Sequence, residues 1–302
     1  MIELQGTTKT FGDFTALDRV DLKIPNGAAY GLLGSNGAGK STILRLLSGI
    51  YKPEGGRVLI DGEDVFDNVA VKQKVFFIND ETIQFSSMTL KELKNFYRQF
   101  YPNFSDAIFE KLQGAIKLPM DKKLSAFSKG MKRQAIIITG LACCTPYLLL
   151  DEAVDGVDPT MRIILKRMLI DAMCERGMTA VISSHNLSEI NEMCDSAALL
   201  HQGHIIFDRQ LDSLKGSVHK LQLAIADRGR VLTREDLPGL DILHFAQTQS
   251  IYHIIARGTE EALREAIAPL HPVVADIVPL TLEEIFIYEL EVSGYESNVL
   301  SD

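Results

Sequence analysis

Two hydrophobic periods divide the chain between them. Short unbroken apolar runs at 28–33 ("AAYGLL"), 147–150 ("YLLL") and 179–182 ("TAVI") are too brief for helices that pack on their own. They predict strands of a parallel sheet covered on both faces. A helix is expected from Lys40 to Ser48, with Gly49 as its stop. Between about 83 and 144 a helical period takes over. There "SMTLKELKNFYRQF" offers Thr89 and Glu92 as a capping box and Leu90, Leu93, Phe96, Tyr97 and Phe100 as an apolar stripe expected in the core.

Beyond the hairpin "ALLHQGHIIFD", with its turn at Gln202 and Gly203, the pattern changes again. "DILHFAQTQSIYHIIAR" alternates like two paired strands, Thr259 to Leu270 reads as a helix, and a strand is expected at 275–280. A last helix opens on the box Thr281 and Glu284, with Leu282, Ile285, Phe286 and Leu290 as its apolar face. The chain therefore reads as one large α/β domain followed by a smaller α+β domain.

The first strand runs into "GSNGAGKST", which matches G-x-x-x-x-G-K-[ST]. Gly34, Gly37 and Gly39 let successive backbone N–H groups turn toward phosphate oxygens, and the following helix N-terminus adds positive potential. The loop as a whole, Gly34, Ser35, Asn36, Gly37, Ala38 and Gly39, is the candidate phosphate cradle. Lys40 supplies a point charge, Ser41 a hydroxyl for Mg²⁺, and Thr42 a further phosphate contact. The second apolar run ends in Asp151 and Glu152. Ligand crevices of open parallel sheets lie at the carboxyl ends of strands, so these carboxylates belong beside the phosphate loop. Asp151 suits Mg²⁺ and Glu152 suits polarising a water that attacks the terminal phosphate.

Composition narrows the picture further. A net charge of −9 argues against nucleic acid as a partner, whose affinity comes from Lys and Arg neutralising phosphates. Cys143, Cys144, Cys174 and Cys194 lack C-x-x-C spacing and are expected as buried thiols of a reducing compartment. No signal pattern opens the chain, and the longest uncharged run, 135–150, is broken by Pro146, so a cytoplasmic protein without a membrane span is expected.

With these motifs the chain resembles the ATP-binding subunit of an ABC transporter over nearly its whole length. The resemblance implies an ABC-type nucleotide-binding domain at 1–212: a P-loop NTPase parallel core, an N-terminal antiparallel β lobe and a helical insert at about 83–144. A C-terminal α+β domain at 213–302 is expected to serve dimerisation or regulation. It also gives "FSKGMKRQ" a role, because in that family such a helix start is offered to ATP bound by the other subunit. Ser128 and Gly130 keep the family positions, while Lys129 replaces a glycine and Met131 a glutamine. By the same resemblance Asp155 and Asp158 of "VDGVDP" communicate between sites, His185 contacts the γ-phosphate, and Phe11, with Phe14 as fallback, stacks on adenine. Asp80 stands where the family has a metal-reaching glutamine.

The implied function is ATP hydrolysis that closes and reopens a two-subunit sandwich, a homodimer or heterodimer, on integral membrane permease subunits at the inner face of the cell membrane. The "SKGM" turn and "LTLEEIFIYELE" ending resemble bacterial export-type members, particularly the YtrB-like branch. The alternatives are a slow or regulatory ABC ATPase acting as a binding switch, which Met131 and Asp80 favour, and a soluble ABC ATPase outside transport.

Overall fold

The computed structural model describes residues 1–79, 85–152, 159–214, 216–226 and 231–292. Contacts divide the chain into two units, Met1–Asp208 and Arg209–Asp302.

The first unit begins with β1 (Ile2–Phe11) and β2 (Phe14–Ile24), and β3 (Ala29–Leu33) then feeds helix α1 (Lys40–Leu47). After β4 (Gly55–Ile60), β5 (Glu63–Asp64), the single turn α2 (Val69–Lys72) and β6 (Val75–Ile78) come the helices α3 (Leu90–Phe100), α4 (Asp106–Ile116) and α5 (Lys129–Ala142). The chain returns through β7 (Tyr147–Asp151), α6 (Pro159–Arg176), β8 (Thr179–Ser184), α7 (Leu187–Met193), β9 (Ser196–His201) and β10 (His204–Gln210). A four-stranded antiparallel sheet has the order β2-β1-β4-β5, and a six-stranded sheet the order β10-β9-β3-β8-β7-β6. Strands β9, β3, β8, β7 and β6 pair in parallel.

Every residue of β3, β7 and β8 is buried, as their unbroken apolar runs require. On α1, Ile43, Leu44, Leu46 and Leu47 are all buried. Each contributes roughly 1.5–3 kcal/mol on leaving water, which fixes the helix that follows the phosphate loop. Gly49, at φ 67, ends that helix, and Pro159 and Gly177 bracket α6.

The α3 stripe is only half core. Leu90 and Leu93 are fully buried, but Phe100 is 53% exposed, and Phe96 and Tyr97 are half-buried. The reason is an aromatic cluster at the surface: the Phe96 ring lies 4.8 Å from Phe85 and 4.9 Å from Phe100. The expected capping box is present, with Glu92 N–H donating to Thr89 Oγ1 at 3.2 Å and Thr89 N–H to Glu92 Oε2 at 2.8 Å.

The four thiols are free, but burial holds for Cys143 and Cys194 alone. Cys144 is half-buried at the end of α5, and Cys174 is exposed on α6. Burial pushes the Cys143 and Cys194 thiols well above their ordinary pKa.

The second unit contains α8 (Leu211–Leu214), β11 (Val218–Ile225), β12 (Asp241–Thr248), β13 (Ile251–Arg257), α9 (Glu260–Ile267), β14 (Pro272–Pro279) and α10 (Leu282–Val292). Its antiparallel sheet, β12-β13-β11-β14, packs a core that includes Leu221, Leu223, Tyr252, Ile254, Leu263 and Ile267. Strand β11 pairs with both β13 and β14 and was not anticipated from the pattern of the chain. On α10, Leu282, Ile285 and Phe286 are buried. Among the described residues, no helix is long and apolar enough to cross a membrane.

Candidate nucleotide site

The parallel register places the site. Leu33, the last residue of β3, lies opposite Ser184 of β8, and Asp151, the last of β7, lies opposite Ser183. Three strand ends therefore deliver the phosphate loop, the serine–histidine turn and the two carboxylates to one edge of the sheet, where ligands of open α/β sheets bind.

The loop between β3 and α1 is packed hard against its surroundings. A Cβ on Gly34 would come within 2.4 Å of the Leu200 carbonyl oxygen, and one on Gly39 within 2.9 Å of that of Ala16. These two glycines are thus demanded by the loop's own packing as well as by any ligand. Ala38 N–H donates to the Ser35 carbonyl at 3.2 Å, and the Ala38 carbonyl accepts from Gly203 N–H at 3.1 Å. Helix α1 starts without a side-chain cap and without an acid in its first turn, which leaves the positive end of its dipole for an anion. Ser35, Ser41 and Thr42 are half-buried, and Asn36 and Gly37 are exposed at the mouth.

Lys40 is buried, and its Nζ donates to the Gly34 carbonyl at 2.6 Å and to that of Ser35 at 3.0 Å. The same nitrogen lies 3.9 Å from Glu152 Oε1. Burial holds the ammonium below its ordinary pKa, against the opposing pull of the Glu152 and Asp151 carboxylates. An arriving phosphate would add negative charge where this cation is short of solvent.

Asp151 is fully buried, and its Oδ1 accepts from Ser41 Oγ at 3.0 Å and from Ser183 Oγ at 2.6 Å. Ser41 and Asp151 form a pair of hard oxygen donors, the chemistry that Mg²⁺ takes when phosphates complete its shell. Among the described residues, no group of three or more His, Cys, Asp or Glu gathers for a metal, so a phosphate-completed shell is the arrangement these residues fit.

Glu152 follows with φ 47, a left-handed backbone costing a non-glycine residue about 1–3 kcal/mol. Its N–H donates to the Ser183 carbonyl at 3.2 Å and to Ser183 Oγ at 3.1 Å. Its own carbonyl accepts from Arg133 Nη1 at 2.5 Å. The carboxylate is a quarter exposed and lies 3.4 Å from His185 Nδ1. His185 sits on a turn held by buried groups: Ser184 Oγ donates to Glu189 Oε2 at 2.9 Å, and Glu189 pairs with Arg162 Nη1 at 3.1 Å.

Lys40, Ser41, Asp151, Glu152 and His185 are thus brought together. Ser128 caps α5 from an exposed position, accepting from Met131 N–H at 3.2 Å, with Lys129 exposed and Gly130 and Met131 half-buried beside it. Phe11 ends β1, 43% exposed, with its ring 5.2 Å from Tyr51 and Lys9 Nζ 5.1 Å from its centroid. Phe14, its cross-strand partner, is 60% exposed. Asp80, Asp155 and Asp158 lie outside the described residues. Motif reading passed over Ser183 and Arg133; the doubled serine before His185, one strand away from Asp151, was the available signal for the first.

The family model described as ABC transporter matches residues 17–155. The chain is 31% identical over 288 residues to the ABC transporter ATP-binding protein YtrB of Bacillus subtilis (strain 168), covering 95% of this chain and 97% of that protein. It is 30% identical over 217 residues to the bacitracin transport ATP-binding protein BcrA of Enterococcus faecalis, covering 71% and 70%. A solved ATP-binding subunit of an ABC transporter superposes with a TM-score of 0.65 at 24% identity, over 71% of this chain and 91% of that one. Similarity along nearly the whole chain, on a fold that gathers the phosphate loop and its paired carboxylates, places the protein in the ABC transporter family, as one of its ATP-binding ATPases.

Proposed function

We propose that this ATPase powers export across a membrane as one half of a nucleotide-sandwich dimer held beneath integral membrane permease subunits. The observation that carries the reading is a division of labour. Lys40, Ser41, Asp151 and Glu152 face one another within the chain, whereas Ser128 and Lys129 present an exposed helix start outward. A phosphate-binding half gathered within the chain and a helix start left exposed fit a site that a second subunit completes.

In this reading the loop N–H groups and Lys40 hold the phosphates, and Phe11 offers a ring face to adenine. Ser41 and Asp151, with Asp80, hold Mg²⁺, which when bound neutralises phosphate charge. Glu152 takes a proton from the attacking water, and His185 contacts the γ-phosphate. Ser128, Lys129, Gly130, Met131 and Asp158 address the nucleotide across the interface. Bacitracin and lantibiotic transport ATP-binding proteins among the relatives support a transport role. The protein then sits at the cytoplasmic face through its permease. The unit from Arg209 onward is assigned an accessory part in dimerisation or regulation.

The test is Glu152→Gln with ATP and Mg²⁺, followed by light scattering. A doubled mass with turnover lowered about 10²- to 10⁴-fold is expected. A variant that keeps ATP yet stays monomeric would overturn the sandwich, and a wild-type protein that never co-purifies with an integral membrane protein would overturn the permease assignment.

A further inference from the structure

Glu152 cannot hold its left-handed backbone by itself, and the structure grips it at both ends. Ser183, from the neighbouring strand, takes the N–H with its carbonyl and its hydroxyl. Arg133 takes the carbonyl at 2.5 Å. Arg133 is 3% exposed, and a buried guanidinium is a costly way to fill space that an apolar side chain could fill. Its fixed planar fork suits holding one oxygen in place.

The origin of that arginine matters more than its burial. It belongs to α5, five residues beyond the capping Ser128, which is little more than one helical turn. The first turns of α5 and the backbone of Glu152 are therefore joined through the Arg133 side chain. A shift of α5 is carried to a carboxylate that lies 3.9 Å from Lys40 and 3.4 Å from His185.

We propose that Arg133 is a positioning residue that ties the orientation of Glu152 to the position of α5, so that docking of the α5 start on the other subunit's nucleotide sets the base of this chain's own site. The proposal rests on the sandwich reading above and deepens it. In this proposal Arg133 acts through Glu152, whose carbonyl it holds.

The experiment compares wild type, Arg133→Met, Arg133→Lys and Glu152→Gln in steady-state ATP hydrolysis, together with binding of a non-hydrolysable ATP analogue and thermal melting. Arg133→Met is expected to lower kcat about 10- to 100-fold, the scale of a small misplacement of a reacting group. Analogue affinity should stay within about twofold. Arg133→Lys, which keeps a donor, should recover part of the loss. In a Glu152→Gln background, Arg133→Met should lower the residual rate no further, because the two residues act as one unit.

A folded Arg133→Met with wild-type kcat, a loss of affinity in step with kcat, or a full additive loss in the Glu152→Gln background would each overturn the proposal. Should Arg133→Met fail to fold, Arg133→Lys decides: a several-fold lower kcat at unchanged affinity is expected, and unchanged kcat overturns it. Wild-type turnover that does not depend on Glu152 would sink the sandwich reading and this proposal together. Glu152-dependent turnover that ignores Arg133 sinks this proposal alone.

Discussion

The two units treat buried polar groups in opposite ways. Among the described residues, His219 is the sole buried polar or charged side chain of the second unit; all the others, including Lys40, Arg133, Asp151, Ser183, Ser184 and Glu189, belong to the first. Burying such groups costs free energy unless each meets a partner. The first unit accepts that cost at the ends of β7 and β8, where the register lets Asp151 accept from Ser183 and Ser184 donate to Glu189. The second unit avoids it. His219 Nδ1 simply lies 3.0 Å from the Gly258 carbonyl oxygen, and the strongest polar contacts there are partly exposed, such as the Arg257 fork on Glu289 and Asp241. At those two strand ends polar burial gathers the candidate site, while the second fold rests on its apolar core and helix caps.

The contrast breaks most decisively at Asp151. Asp151→Asn keeps the shape but removes a charge that is fully buried between Ser41 and Ser183. Turnover is expected to fall on the order of 10²–10³-fold, the scale for removing one preorganised electrostatic group, with melting nearly unchanged. Steady-state ATPase rates across a Mg²⁺ titration check this. Turnover within tenfold of wild type would mean that polar burial at the strand ends is architectural. In the second unit the equivalent blow is Leu221→Ala in the centre of β11, a position with no exposure. Denaturant unfolding should show a loss of about 2–5 kcal/mol for that unit, the usual range for a leucine cavity, with kcat within about twofold.

Much of this was legible in the chain, for a reason visible residue by residue. The loop from Gly34 to Thr42, the helix behind it, the adjacent Asp151 and Glu152 and the boxes at Thr89 and Thr281 are local patterns, written in neighbouring residues. The contacts of Ser183 and Arg133 with Glu152 are not. They depend on strand register and on the placing of α5, between residues 31 and 19 positions apart. Strand β11 was missed because its buried face, His219, Leu221 and Leu223, opens on a polar residue, while the apolar Val218 beside it is out of phase with that face. The α3 stripe misled in the other direction: Phe96 and Phe100 satisfy the helical period, yet they cluster with Phe85 at the surface. Periodicity reports which side chains share a face, and burial depends on what covers that face.

The gentlest way to sharpen the comparison is Thr281→Ala at the start of α10. Thr281 N–H donates to Glu284 Oε2 at 2.9 Å, and Glu284 N–H donates to Thr281 Oγ1 at 3.3 Å, so two helix-end donors are satisfied reciprocally. Alanine removes the hydroxyl and leaves the Glu284 N–H to water, at a cost of about 1 kcal/mol. For a unit of this size the melting transition should move down by roughly 4–8 °C. ATP turnover below that transition should not change, because Lys40, Asp151 and Glu152 all belong to the first unit. Scanning calorimetry beside an ATPase assay on the same sample measures both. A fall in kcat without a shift in melting would show that α10 acts on the chemistry, and the proposed division between a catalytic and an accessory unit would have to be redrawn at that helix.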